Sequence, residues 1–311
     1  VNNIDKIEIV ESSLSTLYGS NAIGGVVNII SKKNKDKFWI SNIYSYDDIL
    51  GFNKSVSFGG SENNFFYDIN YSLQEFRGYD LTPTIINPFD YTLKPYDKKF
   101  YKYSLGYLFS SNFNLSLSYN KFNSFIKDFD AGIDNVTDMQ VQVYSDLLKK
   151  YNDDVYKLKI NKLFSPGSSM KLSLMYEDYS KINFYPYYYN DDQFDLNINS
   201  EQFLSADLEH SNIYFQYNKK KNDHNIVIGL EKNIDSYSSY NIYDQDDNLV
   251  SPSIFQGENQ TKKYTETSFF IHDQFSYSDN NDIYYGIRYT DAMNFSDKCI
   301  IALSIINRHS S

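Results

Sequence analysis

Two acidic segments and one run of tyrosines have the residue types and spacing to hold a ligand. Asp128, Asp130, Asp134 and Asp138 stand close together, and Asp191, Asp192 and Asp195 follow in a later acidic segment. Hard cations such as Ca2+ take about 6–8 oxygens from carboxylates and backbone carbonyls, which such segments can supply. The spacing is not that of an EF-hand. The same carboxylates also read as solvated loops that repel one another. Between the two groups, Tyr185, Tyr187, Tyr188 and Tyr189 flank Pro186. Tyrosine offers broad amphipathic contact at low entropic cost, which suits a flat ligand. An aromatic girdle at a membrane interface is the other reading of that run. His210, His224, His272 and His309 show no HExxH or other ligand spacing, and no GxSxG, P-loop or dinucleotide fingerprint occurs. Nothing in the chain supports catalysis.

The elements that must position these residues read as strands. Asn64 to Gln74 puts Phe65, Tyr67, Ile69, Tyr71 and Leu73 on one parity and Asp68, Asn70 and Ser72 on the other, the period of two that marks a half-buried strand. Similar alternation covers 38–46, 52–59, 99–109, 113–120, 155–164, 169–179, 211–219, 225–235, 263–277 and 282–290. Tight turns are expected at 59–63, 110–112, 165–168, 220–223 and 278–281. The links between them span roughly 5, 23, 28, 31 and 27 residues and alternate with the turns, the asymmetry of barrels with short periplasmic turns and long extracellular loops. A soluble sandwich with four such loops is improbable. From 297 to 311 the alternation is lost, and this tail is set apart as atypical.

Composition agrees with that plan. The chain has 311 residues, a mean hydropathy of −0.53 and 18% aromatics, and no apolar run of the about 18 residues that a helical span needs. An AT-rich genome would inflate tyrosine and phenylalanine too. Cys299 is the only cysteine, so no internal disulfide or cysteine-based metal cluster is available. The net charge of −11 argues against a nucleic-acid partner. Segments 127–154, 177–209 and 238–260 carry 19 acidic against 4 basic residues, so the acid is expected in three extracellular loops.

One motif is more specific. Leu17-Tyr18-Gly19-Ser20-Asn21-Ala22-Ile23-Gly24-Gly25-Val26-Val27-Asn28-Ile29-Ile30 resembles the closing segment of the plug domain in TonB-dependent outer-membrane receptors. The plug-motif residues are Tyr18, Gly19, Ser20, Asn21, Ala22, Gly24, Gly25 and Asn28, and glycine there permits tight turns and close approach. Glu11-Ser12-Ser13 stands where that family usually has Arg-Gly-Pro. The resemblance implies an all-β chain: an antiparallel transmembrane β-barrel of which about eleven strands of 22 are present, preceded by the tail end of an N-terminal plug. The expected division is 1–33 for the plug end and 34–311 for the first half of the barrel. Bacterial barrels close with even strand numbers, so eleven is an incomplete count, and a truncated or frameshifted chain whose N-terminus has been lost or processed is the expectation.

The same resemblance implies uptake of a scarce nutrient across the outer membrane of a Gram-negative bacterium. The expected partners are outer-membrane lipid, TonB through an N-terminal segment not seen here, and a small-molecule substrate. Cobalamin is preferred, because Leu17 to Ile30 and Arg77-Gly78-Tyr79-Asp80 resemble cobalamin receptors and Phe129-Asp130-Ala131 matches their calcium-stabilised loop, although Phe184-Tyr185 replaces their next Tyr-Asp. A ferric siderophore is the alternative. A passive porin or adhesin would share the strands without the plug motif. A barrel enzyme would need a catalytic set on the extracellular rim, and no histidine lies in the three acidic segments.

Overall fold

The structure, a computed structural model, describes residues 4–10, 26–31, 36–48, 51–78, 95–128, 132–133, 140–141, 147–185, 202–243, 249–252, 261–278, 281–293 and 297–307. β1 (Ile4–Val10) and β2 (Val26–Ser31) make a two-stranded antiparallel sheet, with Glu8 opposite Asn28 and Ile9 opposite Val27. There follow β3 (Trp39–Asp47), β4 (Gly51–Glu62), β5 (Phe65–Phe76), β6 (Tyr96–Ser110) and β7 (Phe113–Asp128). A short pair, β8 (Gly132–Ile133) and β9 (Gln140–Val141), precedes β10 (Leu147–Ser165), β11 (Ser168–Tyr185), β12 (Gln202–Lys221) and β13 (His224–Tyr243). β14 (Leu249–Pro252), β15 (Lys262–Ser278), β16 (Asn281–Ala292) and β17 (Lys298–Asn307) complete the order.

One antiparallel meander runs β3-β4-β5-β6-β7-β10-β11-β12-β13-β15-β16-β17, with β14 beside β13. It is open among the described residues, with β3 and β17 as its edges. The tight turns follow from residue chemistry. Asn63 and Asn64 both adopt positive φ (46° and 72°), the arrangement of a two-residue hairpin turn whose twist matches the strands. Pro166-Gly167 turns with Gly167 at φ 83°, where proline presets the first corner and glycine takes the left-handed one. Asn222 supplies φ 53° between β12 and β13.

Along β16 the burial alternates, and its sense is the reverse of a soluble core. Asp282, Arg288 and Thr290 are 1%, 1% and 3% exposed, whereas Tyr285, Ile287 and Tyr289 are 42%, 48% and 46% exposed. The same inversion holds across the sheet: Ser55, Ser57, Asn70, Ser124, Ser173 and His272 are buried, while Leu105, Leu117, Tyr156, Leu174, Ile213 and Phe269 are exposed. A single layer can bury one parity only by curling over it, so the polar parity lines a concave interior and the apolar parity forms the outer wall. That is the wall of a membrane barrel, apolar outside and polar within.

All eleven expected strands are present, and three expectations are corrected. A twelfth sheet strand, β17, occupies Lys298–Asn307, inside the tail that the sequence sets apart as atypical. Register shows why: Cys299, Ile301, Leu303 and Ile305 share the outward parity of Tyr289, Ile287, Tyr285 and Ile283, but Ile300 on the inner parity masks the period. The strands are also longer than read, 19 residues in β10 and 20 in β12 and β13, and the links correspondingly shorter. Much of the acid expected in loops, including Asp153, Asp154, Glu177, Asp178, Asp207 and Glu209, lies on paired strands instead. Backbone pairing continues there because ladder hydrogen bonds do not depend on which side chains are polar.

Candidate functional site

The outer face carries two aromatic rows. Tyr103, Tyr119, Tyr156 and Tyr176 stand side by side on four consecutive strands, with ring centroids 6.0, 4.9 and 6.3 Å apart. Toward the tight turns, Tyr107, Phe109 and Phe113 meet at 4.9 Å each, and Phe164 lies 6.2 Å from Tyr217. Between the rows the same parity bears Leu105, Leu117, Leu158, Leu174 and Ile213. From Tyr156 to Phe164 the strand has the length of a tilted crossing, about 9–11 residues. Beyond the tyrosine row the outer parity turns polar at once: the Tyr119 hydroxyl donates to Asp154, and Lys121 reaches that carboxylate at 3.0 Å.

The inner face is a wall of paired polar groups. Arg288 on β16 reaches over the Phe270 ring, 5.4 Å from its centroid, to Glu231 on β13 at 2.6 Å. Phe270 is fully buried and lies against Gly229, where a Cβ would occupy the ring's place. Arginine above an aromatic face gains both electrostatic attraction and contact. Lys102 meets Asp68 at 3.1 Å on β5 and β6. Asp282, near the β15–β16 turn, accepts from Ser276 at 2.6 Å and Gln274 at 3.0 Å. His210 is joined to Asp235 on this face; on the outer face His224 is joined to Asp273, which also accepts from Tyr285. Among the described residues no group of three or more histidine, cysteine or acidic side chains is placed to hold a metal.

The residues singled out from sequence fall largely elsewhere. Tyr18, Gly19, Ser20, Asn21, Ala22, Gly24 and Gly25 lie outside the described residues, and Asn28 is on β2 opposite Glu8. Asp128 ends β7 with its backbone paired to Leu147, and Tyr185 ends β11 opposite Gln202. Asp130, Asp134, Asp138, Tyr187, Tyr188, Tyr189, Asp191, Asp192 and Asp195 are outside the described residues. Asp128 and Tyr185 therefore share one end of the sheet, the end opposite the tight turns. Arg288, Glu231 and Phe270 were not singled out. Their signal was an arginine and a glutamate on the polar parity of strands predicted to cross a membrane, which is a mark of function by default.

With the inverted wall and its two girdles established, the likeness to known proteins is one of architecture: the twelve strands match the barrel portion of TonB-dependent receptors. The siderophore receptor PirA of Acinetobacter baumannii superposes with a TM-score of 0.73 at 17% identity, covering 99% of this chain and 46% of that one. The ferric enterobactin receptor PfeA of Pseudomonas aeruginosa gives 0.71 at 15%, covering 98% and 46%, and the copper transporter OprC gives 0.71 at 10%, covering 97% and 47%. The chain thus spans about half the length of these solved structures. Among curated proteins, the iron-regulated outer membrane virulence protein of Vibrio cholerae is 50% identical over 40 residues, 13% of this chain and 6% of the relative. No family model matches.

Proposed function

We propose that the chain is part of a TonB-dependent receptor in the outer membrane of a Gram-negative bacterium, and that the receptor imports a ferric siderophore. The observation that carries this is the reversed burial of the sheet, with exposed aliphatic side chains between two aromatic rows and a buried polar interior. Such a surface is stable only against hydrocarbon. The siderophore is preferred over cobalamin because siderophore receptors stand among the similar structures and an iron-regulated outer membrane protein among the curated relatives. In this reading residues 1–33 end the plug, the carboxylates from Asp128 to Asp195 bind Ca2+ at the extracellular rim, Tyr185 to Tyr189 contact the cargo, and TonB supplies the work. No bond is made or broken by the chain itself.

The test is uptake by cells carrying and lacking the gene. Labelled ferric enterobactin is expected to accumulate only with the gene and only while the inner membrane is energised. Accumulation of cyanocobalamin instead would return the cargo to cobalamin, the reading preferred from sequence. Energy-independent passage of both would make the barrel a passive pore.

A further inference from the structure

At the end of the sheet with the tight turns, one hairpin differs from the rest. No lysine, arginine or histidine stands within three residues of the links at 63–64, 111–112, 166–167 and 279–280, whereas the link at 222–223 is flanked by Lys219, Lys220, Lys221 and His224. Register sets Lys219 beside Ile226 and Lys221 beside His224, all on the outward parity of Tyr217. Both lysines are exposed, as is Asp223 in the turn between them and β13. Directly along the same parity the wall is hydrocarbon, with Ile226, Ile228 and Leu230 on β13 beside Phe215 and Ile213 on β12.

His224 is fixed from two sides. Its ring stacks on Phe275 with the centroids 4.7 Å apart, and its Nδ1 donates to Asp273 at 2.6 Å. The Asp273 side chain is only 9% exposed and also accepts from Tyr285, so that carboxylate is committed to the wall. The imidazole itself is 41% exposed, and Nε2 is the ring nitrogen left to an outside partner. Lysine stems lie along apolar surface while their ammonium groups reach headgroup depth, and basic side chains beside a membrane-crossing element attract anionic headgroups. We propose that Lys219, Lys221 and His224 form an outward-facing site for the phosphate of an anionic phospholipid, whose acyl chains lie along Ile226 and Ile228. The lipid belongs to the leaflet that meets the tight turns, which is the periplasmic one in the receptor reading above. The site lies on the lipid side of the wall and takes no part in holding cargo.

The experiment titrates the receptor, purified in a neutral detergent, with phosphatidylglycerol, phosphatidylethanolamine or inorganic phosphate, and reads bound lipid by native mass spectrometry. The wild type is expected to hold the anionic phosphatidylglycerol more tightly than the zwitterionic lipid. K219Q/K221Q is expected to bind it about thirtyfold more weakly, about fivefold for each cation lost, and K219R/K221R to stay near wild type. The single variants K219Q and K221Q, each expected to lose about fivefold, keep the test open should the double variant fail to assemble. Equal affinity of the wild type for the two lipids overturns the proposal, as does unchanged phosphatidylglycerol affinity in the glutamine variants. Displacement of the bound lipid by inorganic phosphate overturns the lipid assignment, because any small anion would then fill the site. Binding in detergent does not depend on cargo. Absence of chelate uptake by the wild type would therefore sink the siderophore reading and leave this site standing, while loss of lipid selectivity would do the reverse.

Discussion

Phe270 can lie flat on the lumen wall only because Gly229 beneath it has no side chain. Its ring in turn supports the Arg288 guanidinium, whose Nε and Nη1 have no hydrogen-bond partner among the described residues, while Nη2 holds Glu231. Gly229→Val drives a branched side chain into the ring. The expected cost is about 1–3 kcal/mol, the usual penalty of overpacking, read as a lower unfolding midpoint in urea from lipid vesicles. Arg288→Leu leaves Glu231 without its cation, and the expected loss is about 3 kcal/mol, the low end for breaking a buried pair because Glu231 keeps some solvent access. A double-mutant cycle with Glu231→Gln isolates the pair. Additive single losses would mean that the two side chains act independently. This cluster was hard to see from sequence. Each member was legible as polar or apolar parity, but the glycine that admits the ring belongs to a different strand and is joined to it only by register.

At the scale of the strand, parity decides what a substitution costs. Leu158 faces outward between the girdles, so Leu158→Arg is expected to cost about 2–4 kcal/mol and to reduce assembly into the heat-resistant form, as cations do on the lipid face. Ser104→Arg on the inner parity of β6, opposite Asp68, is expected to shift stability by less than about 0.5 kcal/mol. Equal damage from both would contradict the assignment of faces. The same alternation made the strands readable in the crossing itself. It failed beyond the tyrosine row, where Asn152, Asp153 and Asp154 are polar on both parities while the ladder continues. There burial, with repulsion from Glu177 and Asp154, pushes the Asp153 carboxyl up. Burial also raises Asp207, against a lowering hydrogen bond from Ser238 and with repulsion from Asp178 and Glu209 adding to the rise. A carboxyl whose folded value is raised binds its proton more tightly folded than unfolded. Its penalty at neutral pH is thus relieved as pH falls toward the ordinary value of 3.8. Amide exchange at these strand ends, corrected for its intrinsic pH dependence, is expected to slow over that window; faster exchange on acidification would refute the sign.

The whole molecule has a direction, and it is set by the contrast between two-residue turns at one end and long links at the other. The turn end was legible because asparagine pairs and Pro-Gly have few backbone options. The far end was not, because the residues expected to bind cation and cargo lie on segments without a repeating pattern. Cys299 tests the direction without added chemistry. It is the only thiol, is exposed, and sits on the outward parity near the long-link end of β17, opposite Tyr289. If that end faces the outside world, a membrane-impermeant maleimide added to intact cells is expected to label Cys299. A cysteine placed at Ser278, at the opposite end of β15, in a Cys299→Ser background is expected to react only after the outer membrane is permeabilised. Label appearing first at position 278 would invert the barrel and put the acidic strand ends in the periplasm. The turns would then face the outside and the long links the periplasm, so the receptor reading depends on this one orientation.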